Sequence, residues 1–228
     1  HLSYFQVDNP LINIFDPLFI GLHDLKKSDM SSRSLTKTGP FEKMGNFAVS
    51  EGKQMIIEYS DLPEERAIET DKAGKLKFLA GSPAIHLMRR DFIEKFADTD
   101  LHLPFHRAEK KVNYIDADGV QITPETPNAV KFETFVFDAL PMAQNPLILE
   151  LPRGDFSPVK NKTGVDSLES SQADMDKRVH GWFTDAGITI PASAQIELSP
   201  KTFMGPADVA AKKDEFGVLE NNNQYYFE

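Results

Sequence analysis

The stretch that organises this chain is GNFAVSEGKQMIIEY, at residues 45–59. It contains two strand-like runs, residues 45–50 and 54–59, on either side of Glu51–Gly52. Two such runs around a short turn with glycine predict a β-hairpin, because glycine reaches the positive φ that tight hairpin turns require. The segments around this hairpin decide what kind of sheet it belongs to.

Outside the hairpin, further strands alternate with helices. The predicted strands are short apolar runs bounded by turn residues, namely Tyr4–Val7, Lys75–Ala80, Lys111–Ile115, Val120–Thr123 and Pro146–Leu151. The last run is continuously apolar, so we expect it inside a sheet. The predicted helices start near Asp16–Pro17, follow Asp61 as far as about Glu69, cover Phe92–Phe96 after an Asp91 cap, and cover Phe132–Ala143. This alternation predicts an α/β layer fold.

The composition changes after Arg153, where a second domain is predicted. Residues 161–164 are typical of a linker, and a helix over Asp166–Trp182 should end at Gly187. Short β runs follow, at Ile188–Ile190, Gln195–Leu198 and Gln224–Phe227. We therefore predict a larger domain over residues 1–163 and a small, β-rich domain over residues 164–228.

Composition excludes several kinds of partner and site. The 228 residues carry a formal net charge of −10, which argues against nucleic acid or an anionic membrane as partner. There is no cysteine, which removes disulfides and thiolate chemistry and is compatible with a cytoplasmic protein. We do not expect a histidine-based metal site. A phosphate ligand would need a local cluster of cations, metal or backbone N–H groups.

Three side chains and one basic stretch are candidates for such a cluster. Asp8 ends the predicted first strand, where a carboxylate can hold Mg²⁺ or simply stabilise a turn. Glu58, in an apolar run, either faces solvent or accepts hydrogen bonds from polar groups such as sugar hydroxyls. Lys160, on a loop after Pro158, either meets a phosphate or is solvated. The stretch 106–111 is either an anion site or the charged start of a strand.

Taken in order, several segments resemble the UDP-N-acetylhexosamine pyrophosphorylase branch of the UDP-sugar pyrophosphorylases. The matching segments are Phe5–Leu11, Asp16–Gly21, Glu58–Leu62, Pro127–Asn128, Phe132–Asp138 and Arg153–Asn161. They cover roughly residues 4–161. The resemblance implies a Rossmann-like nucleotidyltransferase fold, a mixed sheet flanked by helices. It also implies a cytoplasmic uridylyltransferase that makes UDP-N-acetylglucosamine and pyrophosphate from UTP and N-acetylglucosamine 1-phosphate.

The resemblance also assigns roles to individual residues. It implies that Asp8 holds the catalytic Mg²⁺ and that Lys160 reaches the phosphate of the sugar. Gly45 and Glu58 match contacts to the hexosamine ring. Phe135 and Phe137 match an aromatic pair that lines the N-acetyl pocket, and Phe137 lies off the core face of the predicted helix.

Two departures from the family pattern bear on activity. Ser82 stands where the family has an asparagine that contacts sugar hydroxyls, which leaves a UTP–glucose-1-phosphate or broad UDP-sugar pyrophosphorylase as an alternative. The glycine-rich loop that wraps the nucleotide is expected in an N-terminal segment upstream of His1. We therefore expect these 228 residues to be inactive alone. A further alternative is a non-catalytic homologue that binds sugar nucleotides.

Overall fold

The computed structural model describes residues 1–98 and 102–228. It divides into two compact units, the first formed by residues 1–4 and 17–150 and the second by residues 5–16 and 151–228. Both units are discontinuous in sequence, because the segment 5–16 belongs with the C-terminal part. The domain boundary after residue 163 stays a prediction.

The first unit contains eleven strands and three α-helices within the described residues. The strands are β1 (Leu2–Tyr4), β2 (Met30–Thr36), β3 (Gly45–Ser50), β4 (Lys53–Ile57), β5 (Ala80–Ser82), β6 (His86–Met88), β7 (His106–Lys110), β8 (Tyr114–Ile115), β9 (Gln121–Ile122), β10 (Ala129–Glu133) and β11 (Leu147–Glu150). The helices are α1 (Pro17–Leu25), α2 (Glu64–Ala67) and α3 (Arg90–Asp98), with 3₁₀ turns at Val136–Met142.

Seven of these strands form one mixed sheet. Its order is β1-β6-β2-β5-β3-β4, all antiparallel, and β11 pairs with β2 in parallel. The helices and this sheet form the mixed α/β architecture that the sequence predicted. Two small antiparallel pairs, β7–β10 and β8–β9, lie outside the main sheet.

Strand β2 is the centre of the sheet although its sequence, MSSRSLT, is mostly polar. Six of its seven residues are buried. Two of its three buried hydroxyls have histidine partners, since Ser31 Oγ lies 2.7 Å from His23 Nδ1 and Ser32 Oγ lies 2.8 Å from His86 Nδ1. A buried hydroxyl with a hydrogen-bond partner is tolerated in a core.

Several predicted elements are confirmed. The hairpin β3–β4 turns at Glu51 and Gly52, which both have positive φ. Helix α1 starts at Pro17, and β8 and β9 flank the predicted turn, where Asp116 Oδ1 accepts hydrogen bonds from the N–H groups of Asp118 and Val120.

Other predictions from local pattern are wrong. The first strand ends at Tyr4, and Val7 is 96% exposed. Helix α2 has only four residues and Pro63 as its N-cap, with no side-chain cap. The strand predicted at Lys75–Ala80 is β5, which starts at Ala80 and includes Gly81 and Ser82. Because paired strands shield the glycine, its local tendency to break a strand is overridden.

The predicted helix over Phe132–Ala143 is also wrong. Its first part is β10, in which Phe132 is 64% exposed, and its second part is the 3₁₀ segment that contains Pro141. Proline cannot donate the backbone hydrogen bond of a regular α-helix, so the apolar spacing does not produce one. Strand β11 is found as predicted, but within the described residues it pairs on one side only, with β2.

The second unit is a small helix-and-sheet domain. It contains α4 (Leu168–Asp185), β12 (Gln195–Leu198), α5 (Pro206–Ala211) and β13 (Gln224–Phe227), and β12 pairs with β13 in parallel. Ser167 caps α4 by accepting a hydrogen bond from the N–H of Ser170. The predicted strand at Ile188–Ile190 does not form, although Ile188 and Ile190 pack against the core of this unit.

The buried His86 should make the first unit sensitive to acid. Its side chain is 1% exposed, and burial lowers its pKa from 6.5 to about 4. Between these values the unfolded chain binds a proton that the folded chain does not, so stability falls as pH falls. We expect a loss of about 3 kcal/mol from this group between pH 7 and pH 4.

Native-state hydrogen exchange of the β2 and β6 amides across this pH range measures the loss. The control is His86→Gln, which keeps a polar group beside Ser32 Oγ and cannot become charged at these pH values. An equal pH dependence in the two proteins would contradict the assignment to His86.

Candidate active site

Three residues predicted to contact a sugar lie in one row across neighbouring strands. Gly45 of β3 pairs directly with Ser82 of β5. On the other side of β3 the last registered pair is Asn46 with Ile57, so the register carried one step further places Glu58 opposite Gly45. Residues directly opposite each other in a sheet share a face. Glu58, Gly45 and Ser82 therefore form a row that we call the polar row.

Gly45 keeps the middle of the polar row open. A Cβ at this position would lie 2.5 Å from Ile56 Cγ2 and 3.7 Å from Ser82 Cβ. Ile56 is 4% exposed, and its branched side chain is stiff. Any larger residue would therefore displace the core as well as fill the space between the two polar side chains.

The buried Lys37 stabilises the residue next to Gly45 in β3. Its Nζ donates a hydrogen bond to Asn46 Oδ1 at 2.6 Å and another to the carbonyl oxygen of Pro40 at 3.2 Å. Burial lowers the pKa of Lys37, against an opposing effect of Glu42. Because Asn46 adjoins Gly45, this hydrogen bond fixes the backbone next to the polar row.

Glu58 is half-buried and electrostatically unusual. Burial raises the pKa of its carboxyl; the N–H of Tyr59 and the charge of His106 oppose the rise, while Asp61 and Glu133 add to it. A half-buried carboxylate with a raised pKa is typical of binding and catalytic sites. Its acceptor oxygens suit the hydroxyl groups of a neutral ligand better than the oxygens of an anion.

Phe135 and Phe137 form a stacked pair. Their ring centroids lie 4.8 Å apart with an angle of 13° between the planes. The sequence-based view that Phe137 points away from the core is wrong, because Phe137 packs against the core of the first unit. The backbone is 3₁₀ rather than α-helical here, which changes the directions of the side chains.

His106 joins this aromatic pair to two carboxylates. Its Nε2 lies 2.8 Å from Asp138 Oδ2, and its Nδ1 lies 3.3 Å from Asp61 Oδ2. Its ring centroid lies 4.7 Å from that of Phe135. Burial on its own lowers the pKa of His106, but the hydrogen bonds and charges of Asp138 and Asp61 outweigh it, so the pKa is raised.

In the second unit, the two residues predicted to act on phosphate, Asp8 and Lys160, lie on backbone segments that are joined by a hydrogen bond. The N–H of Val159 donates a hydrogen bond of 2.8 Å to the carbonyl oxygen of Asp8, and Lys160 is the next residue. Lys160 is exposed, and its Nζ lies 5.8 Å from the centre of the Phe156 ring. Asp8 lies in a turn and not at the end of a strand, which corrects the sequence-based placement.

Asp8 is compatible with a single-carboxylate magnesium site. Its side chain is half-buried and accepts no hydrogen bond from residues 1–98 or 102–228. These residues contain no cluster of three or more side chains that could hold a metal. Magnesium commonly binds one or two carboxylates and completes its shell with water and substrate phosphates, so one free carboxylate fits it.

The turn that carries Asp8 is anchored by buried polar contacts. Asn9 is 5% exposed; its Oδ1 accepts a hydrogen bond from the N–H of Ser157 and its Nδ2 donates to the carbonyl oxygen of Asp155. Arg178 of α4 donates hydrogen bonds to the carbonyl oxygen of Leu11 and to Asp155 Oδ1. These contacts hold the segment that follows Asp8 against α4 and the loop that carries Lys160.

A family model described as UTP–glucose-1-phosphate uridylyltransferase matches residues 3–214. The chain belongs to this family. A UDP-N-acetylglucosamine pyrophosphorylase from Saccharomyces cerevisiae is 33% identical over 210 residues, which cover 88% of this chain. A human UDP-N-acetylhexosamine pyrophosphorylase-like protein 1 is 35% identical over 162 residues, which cover 70% of this chain.

Solved structures of the family share the fold. A protein from Entamoeba histolytica, assigned as a UDP-N-acetylglucosamine pyrophosphorylase, aligns over 99% of this chain and 56% of its own, with a TM-score of 0.81 and 26% identity. The chain spans less than half the length of the curated relatives, 44% for the yeast protein and 32% for the human one.

Sequence reasoning missed the bridge at His106. Of the two alternatives for the stretch 106–111, an anion site or the charged start of a strand, β7 favours the second. Arg107 Nη1 is bonded to Glu109 Oε1 at 3.0 Å, and His106 faces carboxylates rather than an open anion site. Asp61 and Asp138 are far from His106 in sequence, so no local spacing could have found this contact.

One cavity of the first unit is separate from the candidate site residues. It has a volume of about 440 Å³ and is lined mainly by charged side chains, among them Asp24, Lys27, Arg89 and Asp91. None of the residues of the polar row, the aromatic pair or the His106 bridge lines it.

Replacing Gly45 with alanine should disturb both packing and the polar row. We expect Gly45→Ala to lower the free energy of unfolding by about 1–3 kcal/mol, the usual cost of an overpacked core. The matched control is Gly21→Ala in α1, where a Cβ meets nothing within 4 Å. Urea unfolding of both variants measures the difference, and equal stability would contradict the close approach of Ile56.

Removing the guanidinium of Arg178 should weaken the second unit. We expect Arg178→Met to lower its free energy of unfolding by about 1–3 kcal/mol, because the Leu11 carbonyl and the Asp155 carboxylate lose a donor. Trp182, the single tryptophan of the chain, packs against the core of this unit and reports its unfolding by fluorescence. The exposed neighbour Lys177→Met is the control, and a similar loss in both variants would count against the anchor.

Proposed function

We propose that the chain carries the sugar-phosphate side of a uridylyltransferase. The whole enzyme would make UDP-N-acetylglucosamine and pyrophosphate from UTP and N-acetylglucosamine 1-phosphate. The observation that carries the proposal is the polar row of Glu58, Gly45 and Ser82 in the unit that also holds the stacked Phe135–Phe137 pair. Relatives named for this activity support it.

The chemistry of the first unit suits an acetamido sugar. Sugar hydroxyls are donors as well as acceptors, so a carboxylate and a hydroxyl on one face can orient a ring without charge pairing. An apolar aromatic pair suits the methyl group of an N-acetyl substituent. Gly45, which has no side chain, would let the ring approach the backbone of β3.

The second unit would act on phosphate. In the proposed reaction an oxygen of the sugar 1-phosphate attacks the α-phosphorus of UTP, the bond to the β-phosphate breaks, and pyrophosphate leaves. Lys160 would offset the charge of the attacking phosphate as a point charge. The protein needs no general base, because the phosphate is already ionised, so positioning dominates catalysis.

The proposal also includes a bound magnesium ion and a cytoplasmic location. Asp8 would hold Mg²⁺, which when bound would neutralise charge on the phosphate oxygens. The cysteine-free, acidic composition supports a cytoplasmic protein without nucleic-acid partners. No helix within residues 1–98 and 102–228 is long and apolar enough to cross a membrane.

Ser82 is the reason to consider a second sugar phosphate as the substrate. Its side chain is shorter than asparagine and lies 7% exposed in the polar row, with Oγ 3.4 Å from the N–H of Ala84. A smaller polar group discriminates less strictly between hydroxyl patterns, which favours glucose 1-phosphate as the alternative substrate. A non-catalytic homologue is the other alternative, and it predicts no turnover with any sugar phosphate.

A pyrophosphate-release assay on the full-length gene product tests the proposal. With UTP and Mg²⁺ we expect turnover of N-acetylglucosamine 1-phosphate above glucose 1-phosphate. Asp8→Asn and Lys160→Met should each lower kcat by about 10²-fold or more, because each removes charge stabilisation of the transition state. Lys162→Met is the control for Lys160, since Lys162 is an exposed lysine two residues away.

The outcomes of this assay distinguish the three candidate functions. Preferential turnover of glucose 1-phosphate would replace the substrate, and no pyrophosphate with any sugar would favour the non-catalytic homologue. Full activity of Asp8→Asn or Lys160→Met would remove that residue from the phosphate site. Detectable synthesis by the 228 residues alone would show that they contain every essential group.

A further inference from the structure

His106 occupies a position that the proposed reaction does not use. It is a partly buried histidine whose two ring nitrogens both face carboxylates, Asp138 at 2.8 Å and Asp61 at 3.3 Å. A neutral imidazole has only one N–H donor, whereas the protonated ring has two. The geometry therefore suits an imidazolium that donates to both carboxylates at once.

This bridge connects three separate segments of the first unit. Asp61 follows β4, His106 begins β7, and Asp138 lies in the 3₁₀ segment. The N–H of Asp138 also donates a hydrogen bond of 3.1 Å to the carbonyl oxygen of Phe135. Asp138 is thus tied to Phe135 through the backbone and to His106 through its carboxylate.

The His106 ring also contacts the aromatic pair directly. Phe135 contacts two rings, since its centroid lies 4.7 Å from that of the imidazole and 4.8 Å from that of Phe137. Phe137 packs on the core, so Phe135 has a rigid neighbour in Phe137 and a second ring contact in His106. Loss of the imidazole would remove the second of these contacts.

We propose that His106 is a positioning residue that fixes the Phe135–Phe137 pair and thereby sets the preference for a 2-acetamido sugar over an unsubstituted hexose. The preference rests on the proposed function, because it presumes that this pair meets the N-acetyl group. His106 itself touches Phe135 and the carboxylates, and acts on the substrate through them.

The positioning depends on pH in a defined direction. Four carboxyl groups face His106: Asp61 and Glu58 beyond β4, Asp138 in the 3₁₀ segment, and Glu133, its partner in β10. Their combined charge favours the imidazolium, so the bridge is complete at low pH and is lost as pH rises through the raised pKa of His106. Protonation of Glu58 at lower pH would weaken ring binding for both sugars and cancel in their ratio.

The test measures the ratio of kcat/KM for N-acetylglucosamine 1-phosphate to that for glucose 1-phosphate, from pH 5.5 to 9, in the full-length protein. In the parent the ratio should fall as His106 loses its proton. In His106→Gln the ratio should be about tenfold lower at pH 6 and independent of pH, through a higher KM for the acetamido sugar. The KM for UTP should not change.

Two further variants separate positioning from simple damage to the fold. His102→Gln alters an exposed histidine nearby in sequence and should keep the parental ratio and profile. Asp138→Asn keeps an acceptor for His106 but removes a charge, so the fall in the ratio should move to lower pH. A parental ratio and profile in His106→Gln would overturn the proposal.

A second readout does not need turnover. In the same protein with labelled histidine and phenylalanine rings, the NMR signals of Phe135 and Phe137 should shift with the titration of His106, and should not in His106→Gln. Phenylalanine signals that do not shift as His106 titrates would overturn the positioning role. Absence of turnover with every sugar phosphate would instead overturn the proposed function, and with it the sugar preference.

Discussion

The pairing of β2 on both of its sides is the constraint on which the first unit depends. One edge of β2 pairs with β6 and then β5, and the other pairs with β11 in parallel. Because β5 pairs with both β2 and β3, strand β2 also fixes the position of β3, and hence the register in which Gly45 pairs with Ser82. Because the strand is buried, its hydroxyls need partners, and His23 and His86 supply them for Ser31 and Ser32. A shift of β2 by one residue would separate both hydroxyl–imidazole pairs and displace the polar row.

This central strand is also where sequence reasoning failed. MSSRSLT has neither an apolar run nor alternation, so nothing in its pattern predicts a buried strand. Burial is possible because distant residues satisfy the hydroxyls, and such contacts are invisible to local spacing. By contrast, the β3–β4 hairpin and the turn at residues 116–119 were predicted, because glycine at positive φ is a local requirement. The helix predicted over Asp166–Trp182 is found as α4, because its stop at Gly187, which has positive φ, is also a local signal.

The candidate site divides in the same way. Family-like segments pointed to Gly45, Glu58 and Ser82, and the strand register explains why residues so far apart in sequence can act together. The direction of Phe137 differs from that predicted by α-helical spacing, because the segment contains Pro141 and forms 3₁₀ turns, which change the directions of its side chains. The contact of His106 with Asp61 and Asp138 depends on three separate segments, so only the folded structure could reveal it.

Charge explains why each of the two units suits a different kind of ligand group. The carboxylates Glu58, Asp61, Glu133 and Asp138 around one histidine make the first unit unfavourable for a phosphate, since like charges repel most strongly where water is partly excluded. They remain favourable for neutral hydroxyl and amide groups. A dianionic phosphate requires cations instead, and under the proposed function Lys160 would supply one in the second unit while Asp8 would hold another. Because the chain has a formal net charge of −10, a phosphate that approaches it is attracted only by such local groups.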